Sequence, residues 1–133
     1  MQAPFENART DQTSFRHSVK AEFSKIRKEI IEPTVEDQDF FPAPDLVFND
    51  ALFLMETLFI SGIPNPNISW TEDSTLNFKW HLEDSMAMLE IYGDGFVVYN
   101  AIRDDARPDE ASFTLTDTAS LQDCLAKLNR LFQ

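Results

Sequence analysis

Pro64-Asn65-Pro66-Asn67-Ile68-Ser69-Trp70, Leu76-Asn77-Phe78-Lys79-Trp80-His81-Leu82, Met86-Ala87-Met88-Leu89-Glu90-Ile91-Tyr92 and Phe96-Val97-Val98-Tyr99-Asn100-Ala101-Ile102 succeed one another with short polar breaks between them. The breaks are Glu72-Asp73-Ser74-Thr75, Glu83-Asp84-Ser85 and Gly93-Asp94-Gly95. Runs of this length, rich in β-branched and aromatic residues and separated by turn residues, predict antiparallel strands joined by hairpins. Side chains alternate across a strand, so Leu76, Phe78, Trp80 and Leu82 share a face opposite Asn77, Lys79 and His81. In the third run Ala87, Leu89 and Ile91 oppose Met86, Met88, Glu90 and Tyr92. In the fourth, Phe96, Val98, Asn100 and Ile102 oppose Val97, Tyr99 and Ala101. The third and fourth runs are apolar or aromatic on both sides. One face needs a helix; the other, read as holding Met88, Tyr92, Tyr99 and Val97, needs a second cover. The C-terminal helix, the first helix or a second subunit could supply it.

Outward from this meander the periodicity changes. Phe15, Val19, Phe23, Ile26 and Ile30 fall on one face of a helix from about Asp11 to Ile31. Pro33 stops it. Residues 1–11 are polar and unpatterned and are expected to be disordered. Residues 32–44 form a connector, with Phe40-Phe41 pinned to the core. A second helix runs from Asp45 or Leu46 to Ser61, capped by Asp45 and ended by Gly62. It is apolar almost all round, which predicts burial between sheet and first helix, or a dimer interface. After the polar loop Arg103–Glu110, Phe113 and Leu115 mark a short fifth strand. Asp117 or Thr118 caps a last helix with Leu121, Leu125, Leu128, Leu131 and Phe132 on its apolar face. The fold class is α+β over a single domain, residues 1–133: two N-terminal helices, a four- to five-stranded antiparallel meander and one C-terminal helix.

The chain has 133 residues with a net charge of −12. Residues 1–45 hold 6 Lys and Arg against 9 Asp and Glu, and residues 46–133 hold 5 against 14, so the acidity lies on the sheet half. That balance argues against direct nucleic-acid binding, which needs a basic face, and against an anionic membrane surface. It suits a basic protein partner, although acidity also serves solubility alone. No apolar run approaches the ~20 residues of a membrane helix. The N-terminal residues lack a signal-peptide pattern. The expectation is a soluble, cytoplasmic protein of bacterial or phage type.

Candidate chemistry is sparse. Cys124 is the only cysteine, so no disulfide within the chain is expected. Its apolar helical position predicts a buried thiol. His17 and His81 sit in different halves. His81-Leu82-Glu83-Asp84 lacks the second ligand pair of a zinc site, and Asp104-Asp105 with Asp109-Glu110 lacks the spacing of a calcium loop. Gly93-Asp94-Gly95 serves a turn, not a phosphate cradle. No cofactor, metal or catalytic residue is expected. Glu90 interrupts an apolar strand. It is expected to pair with Lys79 or Arg103, or else to have a raised pKa.

The run Gly62-Ile63-Pro64-Asn65-Pro66-Asn67-Ile68, with Leu76 to Trp80, Leu89-Glu90-Ile91 and Gly95 to Tyr99, resembles a broad group of small uncharacterised bacterial α+β proteins. Their shared pattern is an apolar helix, a Pro-x-Pro-x-Ile lead-in and a Leu-x-x-x-Trp strand. The resemblance covers residues 45–102 and implies the fold without an activity; Asp73-Ser74 departs from the Asp-Gly that members often carry in the first hairpin.

These features lead to a non-enzymatic protein–protein interaction domain, acting as an inhibitor-, antitoxin- or immunity-like binder of a basic partner, with a homodimer as a possible state. Its expected surface is Met88, Tyr92 and Tyr99 with an acidic rim of Glu83, Asp84, Asp104 and Asp105. The alternatives are a small-ligand-binding protein or enzyme with a pocket around Trp70, Trp80, His81 and Glu90, and an acidic DNA-mimic inhibitor.

Overall fold

Gly93 and Gly95 both adopt positive φ, 100° and 84°, and so reverse the chain between the two longest strands of the sheet. The computed structural model describes residues 4–31, 44–103 and 107–132, with side chains from Thr13 and from Asp45 onward in the first two segments. Five strands run in sequence order: β1 (Asn67–Trp70), β2 (Leu76–His81), β3 (Ser85–Ile91), β4 (Phe96–Arg103) and β5 (Asp109–Thr114). Each pairs antiparallel with the next, in the spatial order β1-β2-β3-β4-β5. The meander expected from the alternation is therefore the sheet observed. The fifth strand begins earlier than expected, because Asp109 and Glu110 pair with Ala101 and Asn100 ahead of the alternating Ala111 and Phe113.

The register fixes the faces. Phe78 lies opposite Leu89, Leu89 opposite Tyr99, and Tyr99 opposite Ala111. One face thus gathers Leu76, Phe78, Trp80, Leu89, Ile91 and Val97 with Tyr99 and Phe113, all buried. Helices cover that face. α2 (Pro44–Ile60) packs on β2 and β3 through Val47, Ala51, Leu54 and Leu58, and α3 (Thr118–Leu131) packs on β5. α1 (Pro4–Ile26) lies against α2, where Phe15 stacks on Phe59 at 4.3 Å and Phe23 meets Phe48 at 5.2 Å. Arg16 and Arg27 bridge the same helix pair to Glu56 and Asp45. α2 is accordingly central, with the sheet on one side and α1 on the other.

Two helix ends follow their expected caps, whereas Asp45, expected to cap α2, lies inside its first turn because the helix already starts at Pro44. Gly62 at φ 77° closes α2: its N–H donates to the Phe59 carbonyl at 3.1 Å, and the Ile63 N–H donates to the Leu58 carbonyl at 3.0 Å. This is the paired-bond stop that a left-handed glycine allows, and Ile63 is buried after it. Asp117 caps α3, accepting from the Ser120 N–H at 3.2 Å and from its hydroxyl at 2.8 Å.

α1 departs from expectation at both ends. It begins at Pro4, and its last turn, Arg27–Ile31, is π-helical. A π turn inserts a residue into the helical repeat and rotates the residues after it about the helix axis. Ile31 is consequently 2% exposed and Ile30 is 45% exposed, the reverse of the regular spacing. Residues 32–43 of the connector, Phe40-Phe41 among them, and residues 1–3 lie outside the described residues, while Pro44, expected to end the connector, is the first residue of α2.

Candidate interaction surface

Glu90 organises one end of the sheet face that turns away from the helices. Its carboxylate accepts from the Thr75 hydroxyl at 2.7 Å and from the Tyr92 hydroxyl at 3.2 Å. The Thr75 proton is committed to Glu90, so at the 2.6 Å contact between Thr71 Oγ1 and Thr75 Oγ1 the donor is Thr71. Thr71 Oγ1 in turn accepts from the Asp73 and Thr75 N–H groups, both at 3.2 Å. The β1–β2 turn is thereby tied through hydroxyls to the middle of the sheet. Glu90 finds hydroxyl donors rather than Lys79 or Arg103, because its Cα partners across the sheet are Asn77 and Val98. Burial, reinforced by the neighbouring Glu90 charge and hydrogen bond, pushes the Tyr92 phenol above its ordinary pKa.

Beyond Glu90 the same face becomes apolar. Met86 lies opposite Ile102, Met88 opposite Asn100, and Glu90 opposite Val98, so Met86, Met88, Val98 and Ile102 adjoin. Ile102 is 46% exposed, and the other three are half-buried. Lys79, exposed His81 and Glu110 flank them by register. Among the described residues no helix packs on this face. Exposed Glu72 and Asp73 lie in the turn at one end with Asp94, and exposed Glu83 and Asp84 lie in the turn at the other. The result is an apolar centre between acidic turns.

The structure therefore brings Met88 and Tyr92 together on the open face, with Glu83 and Asp84 at its rim. Asp104 and Asp105 lie outside the described residues. Tyr99 does not belong to this surface. It is 1% exposed and points to the helices, as does Val97, because the β3–β4 register places Tyr99 against Leu89 and leaves Asn100 beside Met88. Val98 and Ile102 replace it, beside Met86, which strand alternation already puts on the face of Met88; Asn100 is the signal for Val98 and Ile102, since a mid-strand polar residue marks the outward side.

Trp70, Trp80, His81 and Glu90 do not surround one space. Trp70 stacks on Phe48 at 5.8 Å, and Trp80 is buried with Nε1 donating to the Pro64 carbonyl at 2.7 Å. His81 and Glu90 stand on the opposite face. Cys124 is buried, and burial pushes its thiol up to about 12, so it is held as the neutral thiol. Among the described residues no group of three or more His, Cys, Asp or Glu side chains is placed to hold a metal ion, and no helix is long and apolar enough to cross a membrane.

No family model, curated protein or solved structure matches this chain.

Proposed function

We propose that the chain is a non-enzymatic protein-interaction domain that binds a basic protein through the open face of its sheet, in the manner of an inhibitor, antitoxin or immunity protein. The observation that carries this reading is the apolar centre Met86, Met88, Val98 and Ile102, set between acidic turns on a face that no described helix covers. Burying such a centre drives association, and methionine adapts its shape to a partner. Charge selects the occupant. Two copies would each bring −12 and repel, whereas a basic surface is steered towards the acidic turns.

The test is recovery of partners from source cells on tagged protein, comparing wild type with a Met88→Ser, Val98→Ser double variant and with Phe53→Ser on α2. The expected result is a basic protein held by wild type and by Phe53→Ser, lost from the double variant and released by high salt. Equal recovery by the double variant, or binding indifferent to salt, contradicts the proposal.

A further inference from the structure

On the helix-bearing side of the sheet, the chain concentrates positive charge that its overall balance would not lead one to expect. Lys79, Arg103, Arg107, Lys127 and Arg130 are the only Lys and Arg residues of the strongly acidic half 46–133. All except Lys79 line a single cleft of about 310 Å³ between α3 and the ends of β4 and β5. Asp109 is the one carboxylate among the described lining residues, and it engages Lys127 at 3.6 Å. Lys127 also meets Asp123 at 3.6 Å and lies 5.7 Å from the Tyr99 ring centre. The three arginines remain. Among the described residues Arg103 and Arg107 have no carboxylate partner, and Arg130 donates its Nε–H to the Ala126 carbonyl at 3.3 Å.

We infer that this cleft binds a small phosphorylated molecule, its phosphoryl oxygens held by Arg103, Arg107 and Arg130 and its body against Ala101 and Leu131. Guanidinium groups present forked donors that match oxyanions, and three of them around one volume suit a tetrahedral group with acceptors in several directions better than a planar carboxylate. The volume exceeds what a phosphate ion alone fills and lies at the lower end of small-molecule sites. The apolar wall of Ala101 and Leu131 gives the remainder of the molecule a place to lie. Tyr99 lines the same cleft as Arg103 and Arg130. The site is on the opposite side of the sheet from the proposed protein surface and does not depend on that reading.

Calorimetric titration of the full chain at low ionic strength tests the inference, with pyrophosphate as probe and citrate as a carboxylate comparator of similar charge. Saturable pyrophosphate binding tighter than that of citrate is expected. Arg103→Gln and Arg130→Gln should each weaken it about tenfold or more, the usual cost of a lost charge-assisted hydrogen bond. Lys79→Gln, which removes the same charge from the other face, should leave it unchanged. No saturation at millimolar pyrophosphate, citrate binding as tight, or equal weakening by Lys79→Gln would overturn the inference. Circular dichroism of the variants, whose substituted side chains are at the surface, confirms that the fold is intact in each comparison.

Discussion

Replacing Thr75 by Val keeps the side chain's shape and deletes the hydroxyl that links Thr71 to Glu90. Thr75 is 1% exposed, so the bond it makes to the part-buried carboxylate is sheltered. Thr75→Val should lower unfolding stability by about 1–2 kcal/mol in urea titrations, while Thr75→Ser should retain most of it. Cys124 and Tyr99 supply a pH test. Burial holds both protonated in the folded state, Cys124 and Tyr99 each up to about 12. A raised folded pKa leaves stability unaffected below the unfolded value. Stability should then fall with rising pH from the ordinary thiol range upward, and further from about pH 10 as tyrosine joins. Cys124 should resist a thiol reagent at pH 8 until the chain is unfolded. Asp117 has the opposite sign. Its bonds to Ser120 hold its carboxyl below the ordinary value, so its contribution is present above that value and lost as pH falls through the folded pKa. The Asp117 cap and the Cys124 burial were legible from residue type and spacing. The Thr71–Thr75–Glu90–Tyr92 chain was not, because its members meet only after the strands are in register.

At the scale of elements, α2 joins the two sides of the core. Leu54, 1% exposed and facing the sheet, should cost about 2–5 kcal/mol as Leu54→Ala, whereas Phe53, 49% exposed, should cost far less. Gly62→Ala should destabilise by about 1–2 kcal/mol, since no side chain fills space there but φ is left-handed. Thermal or urea unfolding of the three variants gives that order directly. The periodicity of α2 and its glycine stop could be read without coordinates, as could the meander and its pairing order. Two features could not. Regular helical spacing put Ile30 in the core, and the π turn exchanged it for Ile31. β4 is apolar on both sides, so alternation alone did not choose its inward face, and a slip of one residue exchanges the whole set. The pairing of Leu89 with Tyr99 made that choice, and moved Tyr99 from the expected surface to the floor of the cationic cleft.

Over the whole molecule, the sheet separates two surfaces of different chemistry. The helix side closes the core and gathers Arg103, Arg107, Lys127 and Arg130 at one end. The open side offers Met86, Met88, Val98 and Ile102 between acidic turns. With the proposed basic partner on the open side, association should depend on ionic strength, with a screening length of about 10 Å at 0.1 M salt. The methionines give the sharpest reading of which face is used. Met55 is 3% exposed inside α2 and serves as an internal control for the half-buried Met86 and Met88. The measurement is a methionine-oxidation footprint, read by mass spectrometry, of the protein alone and in its recovered complex. The expected result is oxidation of Met86 and Met88 in the free chain at any concentration, their protection in the complex, and an unreactive Met55 in both. Met86 and Met88 that oxidise equally in the complex, or that become protected in the pure protein as its concentration rises, would contradict a basic partner on the open sheet face.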